Sequence, residues 1–152
     1  MSYDEKKRLV DIVLCFCLMG FLILLDQVTK IFIVKVCEPY HVYKSFFGDL
    51  INIRLVYNTG AAFSLGSELT GFLHLFTLLI LPIIGLCAIM FFAIRSKDLS
   101  VPQRFYIFGI LGGGIGNLID RIFRPEGVVD FIDVKFFGLF GMQRWPTFNV
   151  AD

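Results

Sequence analysis

Three long apolar runs divide the chain. Residues 12–36, 70–94 and 101–122 each hold enough apolar positions to cross a bilayer as a helix, because ~20 residues rising ~1.5 Å apiece cover ~30 Å of hydrocarbon. Between the first two runs the pattern changes. In Leu50-Ile51-Asn52-Ile53-Arg54-Leu55 the apolar Ile51, Ile53 and Leu55 alternate onto one face, which is the period of a strand. Gly48-Asp49 and Asn58-Thr59-Gly60 mark turns around it. Residues 128–137 are rich in Val, Ile and Phe and read as extended too. The pattern predicts an α-helical integral membrane protein: three membrane helices plus a small extracytoplasmic β-sheet cradle. The cradle is drawn from strand-rich segments 38–66 and 128–148, and the whole of 1–152 forms one domain. The aromatics of these segments, with Trp145, suit the membrane interface.

Local signals refine the helices. Pro82 near the middle of the second run predicts a kink. Ser100 is placed as the N-cap of the third helix, with Pro102 in its first turn. Lys6, Lys7 and Arg8 crowd one flank and Arg95, Lys97 and Arg104 another, whereas 37–67 holds only Lys44 and Arg54. Basic density marks the cytoplasmic side, so the N-terminus is expected inside and both strand-rich segments outside. The basic start and apolar stretch of residues 1–25 fit a signal peptide. The run continues past Asp26 without a small-residue cleavage site, so it is expected to be a retained helix.

Composition agrees. Hydrophobic residues make up 57% of the 152 positions and charged residues 18%, against ~45–50% and ~25% in soluble domains. A net charge of +1 and the absence of a basic patch argue against nucleic acid as a partner. Cys15, Cys17, Cys37 and Cys87 form no CxxC, and His41 and His74 have no ligand-like spacing. Neither a metal site nor a disulfide framework is expected, and no cofactor.

The candidate chemistry lies in polar residues where polarity is costly. Asp26 and Lys30, four apart, share a helix face within the first run. Each charge costs ~2.5–3.5 kcal/mol at the bilayer centre and less near its edge. They read either as an ion pair that packs helices or as part of a site. The third run carries Gly109, Gly112, Gly113, Gly114 and Gly116, read as a close-packing face, followed by Asn117, Asp120 and Arg121 on one polar face. Asp130, Asp133 and Asp152 follow in VVDFIDV and FNVAD. Any one of these is ordinarily a solvated carboxylate. Together they point to one polar pocket at the outer interface.

At these residues the sequence resembles the lipoprotein signal peptidase (signal peptidase II) family. The resemblance covers Leu25-Asp26-Gln27-Val28-Thr29-Lys30, Asn58-Thr59-Gly60-Ala61-Ala62-Phe63-Ser64, the glycine run through Asn117-Leu118-Ile119-Asp120-Arg121, Val128-Val129-Asp130-Phe131-Ile132 and Phe148-Asn149-Val150-Ala151-Asp152. It implies an aspartic endopeptidase of the bacterial inner membrane. Such an enzyme removes the signal peptide from prolipoproteins on the N-terminal side of a diacylglyceryl-modified cysteine and is blocked by globomycin-type inhibitors. By motif, Asp130 and Asp152 are the catalytic pair, and Asp26, Lys30, Asn58, Asn117, Asp120, Arg121 and Asn149 bind substrate or support the pocket. The family has four membrane helices, the last after FN-x-AD. This chain stops at that Asp, so the fourth is expected to be missing here, either because the sequence is truncated or because the helix is absent. Prolipoprotein substrates, membrane lipid and a monomeric state complete the expectation.

Two carboxylates a few Å apart share one proton, which suits them to activate water and protonate a peptide carbonyl. Arg121 is expected to pair with a carboxylate, Asn58 and Asn117 to bind substrate backbone, and Phe63 and 136–140 to meet acyl chains. From the residues alone, a proton-coupled carrier and a non-enzymatic assembly factor stand beside the peptidase. The motifs favour the peptidase.

Overall fold

The computed structural model describes residues 3–61, 66 and 68–152. Helix α1 runs Tyr3–Val36. It starts well before its apolar run because Glu5, Lys6, Lys7 and Arg8 are good helix formers. Helix α2 spans Gly71–Arg95 and changes register on the way: Phe76–Ile80 is a π segment and Leu81–Arg95 is α. Pro82, where a kink is expected, lies just past this π segment, in the first turn of the α part. Pro82 has no N–H and its ring crowds the carbonyl four residues back, so a widened turn just before it relieves both. Helix α3 runs Val101–Phe123. Gln103 Oε1 accepts from the Ser100 N–H and hydroxyl, both at 2.9 Å, which sets the start of the helix.

Among the described residues, two helices, α1 and α2, are long and apolar enough to cross a membrane. Their outward faces stay exposed, with Phe21, Leu24 and Phe32 on α1 and Phe72, Ile84 and Phe91 on α2. Helix α3 packs against both. Its 23 residues reach ~35 Å, but glycines and buried Arg104 and Asp120 interrupt its apolar character.

The Arg95 end of α2 leaves carbonyls without intrahelical donors, and two arginines supply them. Arg8 Nη2 donates to Ile94 O at 2.6 Å and Arg95 O at 3.1 Å. Arg104, 3% exposed, donates to Ala93 O and, at 3.2 Å, to Ser96 O. Arg104→Met is expected to cost about 2–3 kcal/mol by stranding buried acceptors. The check is the Tm of the detergent-solubilised protein, and an unchanged Tm would refute this role.

The sheet is antiparallel, ordered β1 (Val42–Phe46), β2 (Ile51–Asn58), β3 (Val128–Val134). Only the first part of 128–148 is strand. Beyond it Phe137, Gly138, Phe140 and Gly141 all take positive φ and turn the chain back, leaving single bridges at Lys135–Arg144 and Ile132–Phe148. Arg144 ties this return to the β1–β2 turn, with Nε 2.6 Å from Asp133 and Nη1 3.2 Å from Asp49. Period-two alternation sorts the faces. Past the bulge between Ile53 and Val56, Leu55, Tyr57, Val129 and Phe131 pack on Ile33 of α1 and on Cys37, the residue after that helix. Asn58, Val56, Val128 and Asp130 face the other way, into an open cleft.

Candidate active site

Four stretches of chain meet at that cleft. The end of β2 delivers Asn58, the last turns of α3 deliver Asn117 and Arg121, β3 delivers Asp130, and residues 145–152 bring Trp145, Phe148 and Asp152. The cavity is about 910 Å³, of the size that takes an extended ligand.

Asp130 is 3% exposed. Its Oδ1 accepts from Asn149 Nδ2 at 2.7 Å and its Oδ2 from Asn58 Nδ2 at 3.2 Å. Burial, with a further push from the Asp152 charge, raises its carboxyl to about 6, against the lowering effect of the two amide donors and the Lys30 charge. Asp152 sits at the exposed mouth. Its Oδ1 accepts from Asn117 Nδ2 at 2.8 Å and its Oδ2 from the Asn149 backbone N–H at 3.0 Å. Asn149 therefore bridges the two carboxylates, side chain to one and main chain to the other. Its own Oδ1 accepts the Ala151 N–H at 2.7 Å, an Asx turn that curls the final residues.

Behind the cleft lies a buried ionic cluster. Lys30 Nζ is 2.8 Å from Asp26 Oδ2, 2.9 Å from Asp120 Oδ2 and 2.9 Å from Asn117 Oδ1. Lys30 and Asp120 are wholly buried and Asp26 is 1% exposed. Asp120 also takes Arg124 Nε at 3.0 Å and the Val129 N–H at 3.1 Å, which fastens β3 to α3 one residue before Asp130. Gln27 Nε2 joins Asp26, Asp120 and the Gly116 carbonyl at 3.1–3.3 Å. Asp26, Lys30 and Asp120 thus support the site from below without lining the cleft.

The geometry gives several of the expected residues further partners. Arg121 lines the cleft but donates to the Gly60 carbonyl at 3.0 Å. No carboxylate ion pair forms at Arg121 among the described residues, because the neighbouring Asp120 points ~100° around the helix, to Lys30 and Arg124. Asn58 and Asn117, expected on substrate backbone, spend their amide N–H groups on Asp130 and Asp152. Phe137 and Phe140 are 73% and 82% exposed and no residue of 136–140 lines the cleft. Phe63 lies outside the described residues.

Sequence reasoning missed the second use of the glycine run. Gly112 meets Met19 and Leu22 of α1 and Gly114 meets Leu86 of α2, as helix packing requires. Gly113 does something else: a Cβ there would fall on the Ala151 carbonyl. At Gly116 a Cβ would lie 2.6 Å from Asp26 Oδ2. The missing side chains admit the segment that carries Asp152. The unbroken Gly112-Gly113-Gly114 was the available signal, since helix packing at GxxxG spacing does not call for three in a row.

Known proteins resemble this chain along nearly its whole length. The sequence profile of the family described as Signal peptidase (SPase) II matches residues 18–152. A lipoprotein signal peptidase of Treponema denticola is 54% identical over 149 residues, 98% of this chain and 84% of that relative. One from Treponema pallidum is 47% identical over 133 residues, 88% of this chain and 72% of the relative. A bacterial membrane enzyme solved by the in meso method superposes with a TM-score of 0.74 at 31% identity, covering 93% of this chain and 84% of that one.

Proposed function

The chain belongs to the signal peptidase II family, and on that premise we propose that Asp130 and Asp152 are the two carboxylates that carry out its chemistry. It is a membrane protease of aspartic type that removes signal peptides from prolipoproteins. The observation that carries the residue assignment is Asn149, which holds one carboxylate with its side chain and the other with its backbone N–H at the wall of one cleft.

The proposed division of labour follows from environment. Asp130, buried and raised to about 6, holds the shared proton and gives it to the scissile carbonyl oxygen. Asp152, at the mouth, takes a proton from the attacking water. The tetrahedral intermediate collapses when the leaving amine is protonated, and no acyl-enzyme forms. Asn58, Asn117 and Asn149 orient the carboxylates, Arg121 offers a positive charge at the cleft wall, and Asp26, Lys30 and Asp120 hold the frame. The proposal extends to cleavage N-terminal to a diacylglyceryl-modified cysteine, inhibition by globomycin-type compounds and action as a monomer. It further takes α3 as a third span in the bacterial inner membrane, with the N-terminus cytoplasmic and the cleft toward the outer leaflet. The basic flanks near Lys6 and Arg95 support that orientation.

The pH dependence has a definite sign. The working state is singly protonated, so kcat/KM is expected to fall as pH rises through about 6, where Asp130 loses its proton. The profile of kcat shifts to higher pH because bound substrate displaces water from the pair. Stability moves the same way: the fold binds this proton more tightly than the unfolded chain does. The contribution is therefore present below the ordinary carboxylate range and lost as pH rises through about 6. A lipopeptide cleavage profile checks this. Activity that instead rises through pH 6 and stays high would assign the base, not the acid, to Asp130.

A further inference from the structure

We propose that Lys30 is a positioning residue for both aspartates: its amine decides which end of the Asn117 amide faces the cleft, and through Asn117 and Asn149 it sets the direction of the hydrogen bonds that reach Asp152 and Asp130. The inference rests on the reading of those aspartates as the working pair.

The argument is one of donors and acceptors. An ammonium has three N–H groups and accepts nothing. Lys30 Nζ spends them on Asp26 Oδ2, Asp120 Oδ2 and Asn117 Oδ1, at 2.8, 2.9 and 2.9 Å. The Asn117 atom turned to Lys30 must therefore be its oxygen. With the oxygen held there, the amide nitrogen lies on the cleft side, 2.8 Å from Asp152 Oδ1. The same oxygen also accepts Asn149 Nδ2 at 3.0 Å, and that nitrogen's second hydrogen goes to Asp130 Oδ1 at 2.7 Å. Asn149 Oδ1 is occupied by the Ala151 N–H. If Asn117 turned over, its –NH₂ would face both an ammonium and another –NH₂, and its oxygen would face a carboxylate. Lys30 is wholly buried, so water does not stand in for it. Asp26 and Asp120 hold the amine without touching either aspartate, and Arg124 completes a balance of two positive and two negative charges.

A double-mutant cycle on the full chain in detergent, with a diacylglyceryl lipopeptide, tests this. Lys30→Met is expected to lower kcat about 100-fold, the cost of a misplaced catalytic group, while KM changes by less than about threefold. In an Asn117→Ala background the same substitution should cost less than about threefold, because the two residues act along one path. A lysine that only holds helices together would cost the same factor with or without Asn117, and that result overturns the proposal. Lys30→Met also leaves two buried carboxylates short of a partner. The comparison is therefore repeated between Asp26→Asn and the charge-balanced Asp26→Asn/Lys30→Met. Loss of kcat at a shared Tm supports the proposal, and equal kcat overturns it. Failure of the aspartate assignment shows elsewhere, as activity retained by Asp130→Asn or Asp152→Asn.

Discussion

Asp130→Asn and Asp152→Asn should each lower kcat by about 10³- to 10⁴-fold, the scale of a lost general acid or base, while the protein still inserts and folds. Asparagine keeps the shape and removes the titrating group. It also sets an –NH₂ where the native pair accepts. At 130 it would face either Asn149 Nδ2 or Asn58 Nδ2, and at 152 either Asn117 Nδ2 or the Asn149 N–H. That mismatch costs on the order of 1–3 kcal/mol. At 130 the cost is offset in part, because a neutral amide escapes the burial penalty that raises the native carboxyl. The Tm should therefore move little beside the change in rate. Asp133→Asn is the control three residues along β3. Asp133 binds Arg144 and Arg54 on the sheet and lines no part of the cleft. It should lose stability and keep most of its turnover. Ordinary cleavage of a prolipoprotein by either Asn variant at 130 or 152 would overturn the assignment, and complete loss at 133 would show that the wrong carboxylate of VVDFIDV was chosen.

Gly113→Ala is expected to cut kcat by roughly 100-fold, with no polar group changed. The added methyl would occupy the place of the Ala151 carbonyl, so the last residues must move and Asp152 with them. A shift of ~1 Å in a catalytic group is enough for that loss. The matched substitution is Gly109→Ala, whose Cβ would lie 3.9 Å from Leu22 Cδ1, an ordinary contact. There alanine should leave turnover alone and stabilise α3 by up to ~1 kcal/mol through helix propensity. Equal kcat for the two variants would sink the idea that Gly113 is reserved for the chain end.

The helices were legible because their apolar runs are long, and β2 because its apolar residues alternate. The extent of β3 was overread: 135–148 is as apolar as a strand, but its turn depends on positive φ at two phenylalanines, which residue preferences do not announce. Asp130 and Asp152 could not be told from solvated carboxylates by spacing, and only the motif resemblance singled them out. Partner choice was less visible still. Asp120-Arg121 reads as a pair in sequence, yet helical geometry turns Asp120 to a lysine on another helix. Gly113 looked like helix packing because its neighbour, Ala151, is remote along the chain.

The bonds of Asp120 set a height. They join α3, which carries Asp120, to α1 through Lys30, to the residue that follows α3 through Arg124 and to β3 through the Val129 N–H, so Asp130 has a fixed elevation along the helix bundle. With the bundle held in a bilayer as proposed, that elevation is also a distance from the lipid surface. The enzyme then acts as a depth gauge. On the proposed reading, a substrate tethered by its own lipid would present one peptide bond at that level.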